Sequence, residues 1–128
     1  MRVLLDTSVI VPALRGQQTL WTRIQEVEIA YLCVPVLAEL LTGALRSSNP
    51  SEAVEIVMQF AHRFPPLLIC DELTAKHYAE IESHLRRQGT PIPVNDLWIS
   101  AIARQHQLLL ATRDAHYERV PELQVEIW

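Results

Sequence analysis

Lysine is nearly missing from this 128-residue chain: Lys76 stands alone, and the other ten basic residues are arginine. Chemistry that needs a lysine after a strand is thereby left without its residue, because Lys76 falls within a helical stretch. Cysteine is almost as scarce. Cys33 and Cys70 lie 37 positions apart, form no CxxC pair and have no histidine at zinc-site spacing. This excludes a disulfide framework and a thiolate zinc site, and both thiols are expected to be buried and reduced. No apolar run approaches the roughly 18 residues that a membrane span requires. Asp6 interrupts the N-terminal apolar run too early for a signal peptide. A cytoplasmic protein with no membrane partner is therefore expected. There is no internal repeat, linker or low-complexity segment, so residues 1–128 should form one domain.

What is present is an ordinary globular composition: 49% hydrophobic and 20% charged, enough to build a core and too apolar for disorder. A net charge of −4 argues, taken alone, against a polyanionic partner. Two features offset it. Arginine is the cation best shaped to fork onto phosphate. If four of the fifteen acids served a metal site, the remaining eleven would balance the eleven basic residues. The charge balance thus neither supports nor excludes a phosphate-bearing substrate.

Short solid apolar runs alternate with helical patterns. "RVLL" (2–5), "AYLCV" (30–34), "PPLLIC" (65–70), "LLLAT" (108–112) and "QVEIW" (124–128) read as strands. Between them come helices over 7–14, with Pro12 kinking or shortening the element, and near 19–27. Pro35 opens a helix through Arg46, and another starts at Asn49 or Ser51. Asp71 caps a long helix that ends at Gly89, and Asn95 or Asp96 caps one running to His106. Strands buried on both faces and separated by helices indicate an α/β fold. A mainly parallel central sheet of about five strands is expected, with helices on both faces.

In an open parallel sheet, ligands bind beyond the carboxyl ends of the strands. Asp6 directly follows the first strand, and Asp114 lies two residues past "LLLAT". Asp96 opens the helix leading into that strand, and Glu39 is the only charged residue between Cys33 and Leu45. Each has an innocent reading. Asp6 and Asp96 could be helix caps, Asp114 a turn residue, and Glu39 one polar position on a partly exposed face. As a set they say more. Three of the chain's four aspartates fall at or near strand carboxyl ends or the helices flanking them, and the fourth, Asp71, is a plain helix cap. Carboxylates held close together repel unless a cation intervenes, and oxygen-only ligands select a hard ion such as Mg²⁺ or Mn²⁺. Such an ion turns water into a nucleophile at neutral pH and stabilises in-line displacement at phosphorus.

With "LLDTSVIV", Glu39 and "PVNDLWISAIARQHQLLLATRDAHY" in view, the chain resembles the PIN-domain family. More narrowly, it resembles the VapC-type toxin ribonucleases of bacterial type II toxin–antitoxin pairs. The resemblance implies a PIN-like fold and catalytic Asp6, Glu39, Asp96 and Asp114. Of these, Asp6, Asp96 and Asp114 would hold the metal. It also implies that Thr7 and Thr112 brace the acids through their hydroxyls, and that Asn95 helps set the helix opening. It further implies Mg²⁺- or Mn²⁺-dependent endonucleolytic cleavage of RNA, a homodimer and inhibition by a cognate antitoxin. Tyr117 stands where Phe is more usual in such proteins, and Ser100 where Ala is. His116 is expected to be an exposed turn residue, and Trp98 to pack beside the site.

Rival classes fare worse. A haloacid-dehalogenase-type phosphatase needs a second Asp two residues after the first, where this chain has Ser8. A receiver domain needs a lysine after its last strand. The surviving alternative is a PIN-like protein or RNA binding module without nuclease activity.

Overall fold

Val3, Leu4 and Leu5 are wholly buried in the first strand, β1 (Arg2–Leu5). Successive strand residues point to opposite faces, so burial of three in a row requires cover on both sides of the sheet. The computed structural model describes residues 1–128 and supplies that cover. After β1 come α1 (Thr7–Leu14), α2 (Gln18–Glu26), β2 (Ile29–Tyr31), α3 (Val34–Leu45), α4 (Pro50–Ala61) and α5 (Glu72–Gln88). α6 (Val94–Gln105), β3 (Leu109–Thr112), a 3₁₀ turn (Ala115–Arg119) and β4 (Val125–Ile127) complete the chain. The sheet is parallel throughout, in the order β2-β1-β3-β4. β1 and β3 are its central strands, paired Val3 to Leu109 and Leu5 to Ala111. Asp6 and Thr112 consequently emerge side by side, where the Asp6 N–H donates to the Ala111 carbonyl at 3.0 Å.

The sheet has four strands rather than five. Residues 65–70 touch it at a single parallel bridge between Cys33 and Leu68. There the Leu68 N–H donates to Leu32 O and the Val34 N–H to Leu68 O, each at 3.0 Å. Pro65 and Pro66 have no N–H to extend the ladder, and the segment lies outside β2 with solvent beyond it. Ile69 is accordingly 61% exposed, and the Cys70 thiol, expected to be buried, is exposed too. Cys33 is fully buried, and burial pushes its thiol up to about 12.

Local signals set the helix ends elsewhere. Asp71 and Thr74 form a reciprocal capping box at the start of α5, and Gly89 ends that helix with φ of 69°. Ile81 and Leu85 of α5 pack with Leu97 and Ala101 of α6 as a second, smaller core beside the main one around the sheet. Trp98 joins this seam: its ring lies 4.2 Å from that of Tyr78. No helix is long and apolar enough to cross a membrane.

Candidate active site

Asp6 occupies the cap position of α1, and its backbone behaves as a cap: its carbonyl accepts from Val9 N and Ile10 N. Its side chain does not. Only 3% of Asp6 is exposed, and its carboxylate turns away from the helix into a ring of hydroxyls. Oδ2 accepts from Ser8 Oγ at 2.6 Å and from Thr112 Oγ1 at 2.8 Å, while Oδ1 accepts from Tyr117 OH at 3.2 Å. The two small hydroxyls are themselves oriented by backbone donors. Arg113 N–H donates to Ser8 Oγ at 2.9 Å, and Asp114 N–H to Thr112 Oγ1 at 3.1 Å. Three neutral donors thus satisfy the hydrogen bonding of a buried carboxylate that has no arginine or lysine partner.

α6 begins two or three residues earlier than the sequence suggests. Pro93 is its cap, so Asn95 and Asp96 lie in the first turn and neither side chain caps the helix. A prolyl residue with extended ψ already sets the entry angle, and both side chains are free to reach across the fold. Asn95 Nδ2 donates to Glu39 Oε1 at 2.6 Å, with a longer contact to Pro35 O at 3.4 Å. Asn95 therefore braces the glutamate of α3 instead of setting the opening of its own helix. Asp96 Oδ2 accepts from His116 Nε2 at 2.6 Å. The His116 ring is stacked on Tyr117, with centroids 4.8 Å apart, so this turn histidine is a wall of the site.

Glu39 feels both neighbouring aspartates. Burial, chiefly, and then the charges of Asp6 and Asp96 push its carboxyl above the usual range, while Asn95 partly opposes the shift. The Thr7 hydroxyl is buried without a well-formed hydrogen bond, yet lies near enough to Glu39 to favour its charged form. Tyr117 is wholly buried. Burial first, then the charges of Asp6 and Asp96, hold its phenol far above its ordinary range, so it stays protonated. Asp114 is exposed at the start of the 3₁₀ turn, and its carboxylate makes no hydrogen bond or ion pair.

The arrangement gathers Asp6, Glu39 and Asp96 at the carboxyl end of the sheet, with Asp114 at the rim. It is not a closed metal cage, since no three His, Cys, Asp or Glu side chains converge tightly enough to form one. The donor set nevertheless suits a hard cation. Every donor of these four residues is oxygen, and no lysine or arginine side-chain nitrogen lies within 4.0 Å of their carboxylate oxygens. The one ion-pair partner among them is His116, on Asp96. Ser8, His116 and Tyr117 complete the site and were not singled out by spacing. Ser8 is indistinguishable from a cap in sequence, and the other two follow Asp114 too closely to show which way they face.

Known proteins are similar to this chain in sequence and in fold. The PIN domain pattern matches residues 3–123. Ribonuclease VapC4 of Mycobacterium tuberculosis is 37% identical over 94 residues, 72% of each chain. Toxin FitB of Neisseria gonorrhoeae is 36% identical over 124 residues, covering 88% of this chain and 87% of its own. The crystal structure of DNA-bound VapBC from Salmonella typhimurium superposes with a TM-score of 0.92 at 26% identity, over 100% of this chain and 98% of that one. With a match over nearly its whole length and the fold to go with it, the chain belongs to the PIN-domain family, in the group that includes the VapC ribonucleases.

Proposed function

We propose that this chain is an endoribonuclease, the toxin of a toxin–antitoxin pair, and that its hydrolysis of RNA requires Mg²⁺ or Mn²⁺. The observation that carries this reading is the gathering of Asp6, Glu39 and Asp96 without a lysine or arginine counter-charge, His116 on Asp96 being their one ion-pair partner. Such a cluster is costly in an empty protein and useful with a cation bound. Its likeness to proteins named Ribonuclease VapC4 and Toxin FitB supports the substrate class and the biological role.

In this reading Asp6, Asp96 and Asp114 hold the cation. When bound, a divalent ion supplies Lewis acidity that activates water and offsets charge on the phosphate. The protein does the rest. Ser8 and Thr112 fix one oxygen of Asp6 against the rigid sheet end. Asn95 holds Glu39 from the facing helix, beside Asp6 and Asp96, where its carboxylate would take a proton from the attacking water. The new bond from water to phosphorus forms as the bond to the departing ribose oxygen breaks. A cognate antitoxin and a second copy of the chain complete the proposal. An apolar groove of about 710 Å³ between α5 and the start of α6, with Val94 62% exposed, is surface a homodimer could cover.

The test is cleavage of a mixed RNA substrate by the purified chain, freed of any partner. Cleavage should need Mg²⁺ or Mn²⁺, stop in excess EDTA and be lost in Asp96→Asn. Undiminished cleavage in EDTA refutes the metal dependence. RNA binding without any cleavage under all metals supports the binding-module alternative instead.

A further inference from the structure

The hydrogen bonds around Asp6 use up most of its capacity to bind anything else. An ionised carboxylate offers about four lone-pair positions, two on each oxygen. Ser8 and Thr112 hydroxyls each carry a single proton. Their oxygens lie 3.2 Å apart, but each already accepts from a backbone N–H, of Arg113 and Asp114 respectively. The contacts to Asp6 Oδ2, at 2.6 and 2.8 Å, are much shorter than the one between the two hydroxyls and lead to a charged acceptor. Both protons therefore go to Oδ2, and that oxygen is filled. Oδ1 accepts from Tyr117 at 3.2 Å, which leaves it one free lone pair. The phenol is confined between two carboxylates and bonds the one on Asp6. Tyr117 is wholly buried, the Asp6 and Asp96 carboxylates are the acceptors bearing on it, and its ring is clamped by the stacked His116 that Asp96 holds.

We infer that the Tyr117 hydroxyl is a positioning residue that limits Asp6 to binding a divalent cation through a single lone pair of Oδ1, and that it competes with the cation for that oxygen. This rests on the metal-dependent reading above. A donated proton withdraws electron density from the oxygen that must serve the cation, and it points the positive end of the O–H dipole into the same space. The hydroxyl therefore stabilises the metal-free site and weakens cation binding. Ser8 and Thr112 hold Asp6 by its other oxygen, so loss of the phenol oxygen does not release the carboxylate.

The experiment measures Mn²⁺ binding directly, from the electron paramagnetic resonance of the free ion, for wild type, Tyr117→Phe and Tyr31→Phe. Tyr31 bonds Arg2 at 3.0 Å on β2 and serves as the control. Tyr117→Phe should bind Mn²⁺ about 2- to 10-fold more tightly, the factor that one net hydrogen bond represents, and Tyr31→Phe should match wild type. A second readout needs no variant. In wild type labelled with ¹³C at tyrosine Cζ, Mg²⁺ should move the Tyr117 resonance and leave that of Tyr31 in place. Equal or weaker binding by Tyr117→Phe, or an unmoved Tyr117 resonance in a protein that binds metal, overturns the inference alone. If none of the three proteins binds Mn²⁺, the metal-dependent reading falls and takes the inference with it.

Discussion

Replacing Glu39 by glutamine should stabilise the metal-free protein at neutral pH and lose that advantage in acid. Glutamine keeps the shape of the side chain and an oxygen for Asn95 Nδ2, which now donates at 2.6 Å. What it removes is a charge that burial and the charges of Asp6 and Asp96 both disfavour. Because the folded carboxyl ionises at higher pH than the unfolded one, the folded chain retains a proton that the unfolded chain has already lost. Stability therefore falls as pH rises from the ordinary glutamate range through the folded value, and the penalty persists above it. Glu39 is only half-buried, so solvent screening holds the effect to the low end for removal of a functional charge, about 0.5–1 kcal/mol. With an unfolding entropy near 2.1 cal/mol/K per residue, a chain of this length should gain roughly 2–4 °C in Tm. The assay is thermal melting by circular dichroism of EDTA-treated wild type and Glu39→Gln, at about pH 7 and about pH 3.5, on either side of the ordinary glutamate value. A variant that melts below wild type at neutral pH would show Glu39 to be a structural anchor. A gain that stays the same in acid would show that charge was not its source.

Thr112 is wholly buried and joins Asp6 Oδ2 to Asp114 N. Thr112→Val leaves both partners short of a bond and should cost about 2–3 kcal/mol in urea denaturation; a loss below about 0.5 kcal/mol would contradict the network. Ser100 is also wholly buried but its hydroxyl has no partner, so Ser100→Ala should raise stability by about 1 kcal/mol. A clear loss of stability in that variant would reveal a bond to its hydroxyl. A thiol reagent at mildly alkaline pH should label one cysteine in the native chain, the exposed Cys70, and two after denaturation. Cys33 is both buried and held at about 12, so native labelling of Cys33 in Cys70→Ser would mean that the core opens there.

Much of the fold is legible along the chain because its causes act over a few residues. The solid apolar runs of β1 and β3 demand cover on both faces, and Asp71, Thr74 and Gly89 bound α5 through contacts at most a turn away. The run at 65–70 misleads for a related reason. Six apolar residues look the same in a central strand and at an edge, and only the absence of a neighbour beyond Leu68 leaves Ile69 and Cys70 in water.

The acids could be named as candidates from the sequence, Asp6 above all, since a carboxylate directly after a buried strand is unusual wherever the chain goes next. Their partners could not. Ser8 meets Thr112 across 104 positions, Asn95 meets Glu39 across 56, and Tyr117 meets Asp6 across 111. Asp6 and Asp96 both read as caps, because a cap is recognised by residue type and position, and aspartate satisfies both. Which way each carboxylate turns depends on the donors waiting beside it. Those donors arrive only when β3 lies against β1 and α6 against α3, so the tertiary structure alone decides that these aspartates face a site and not their own helices.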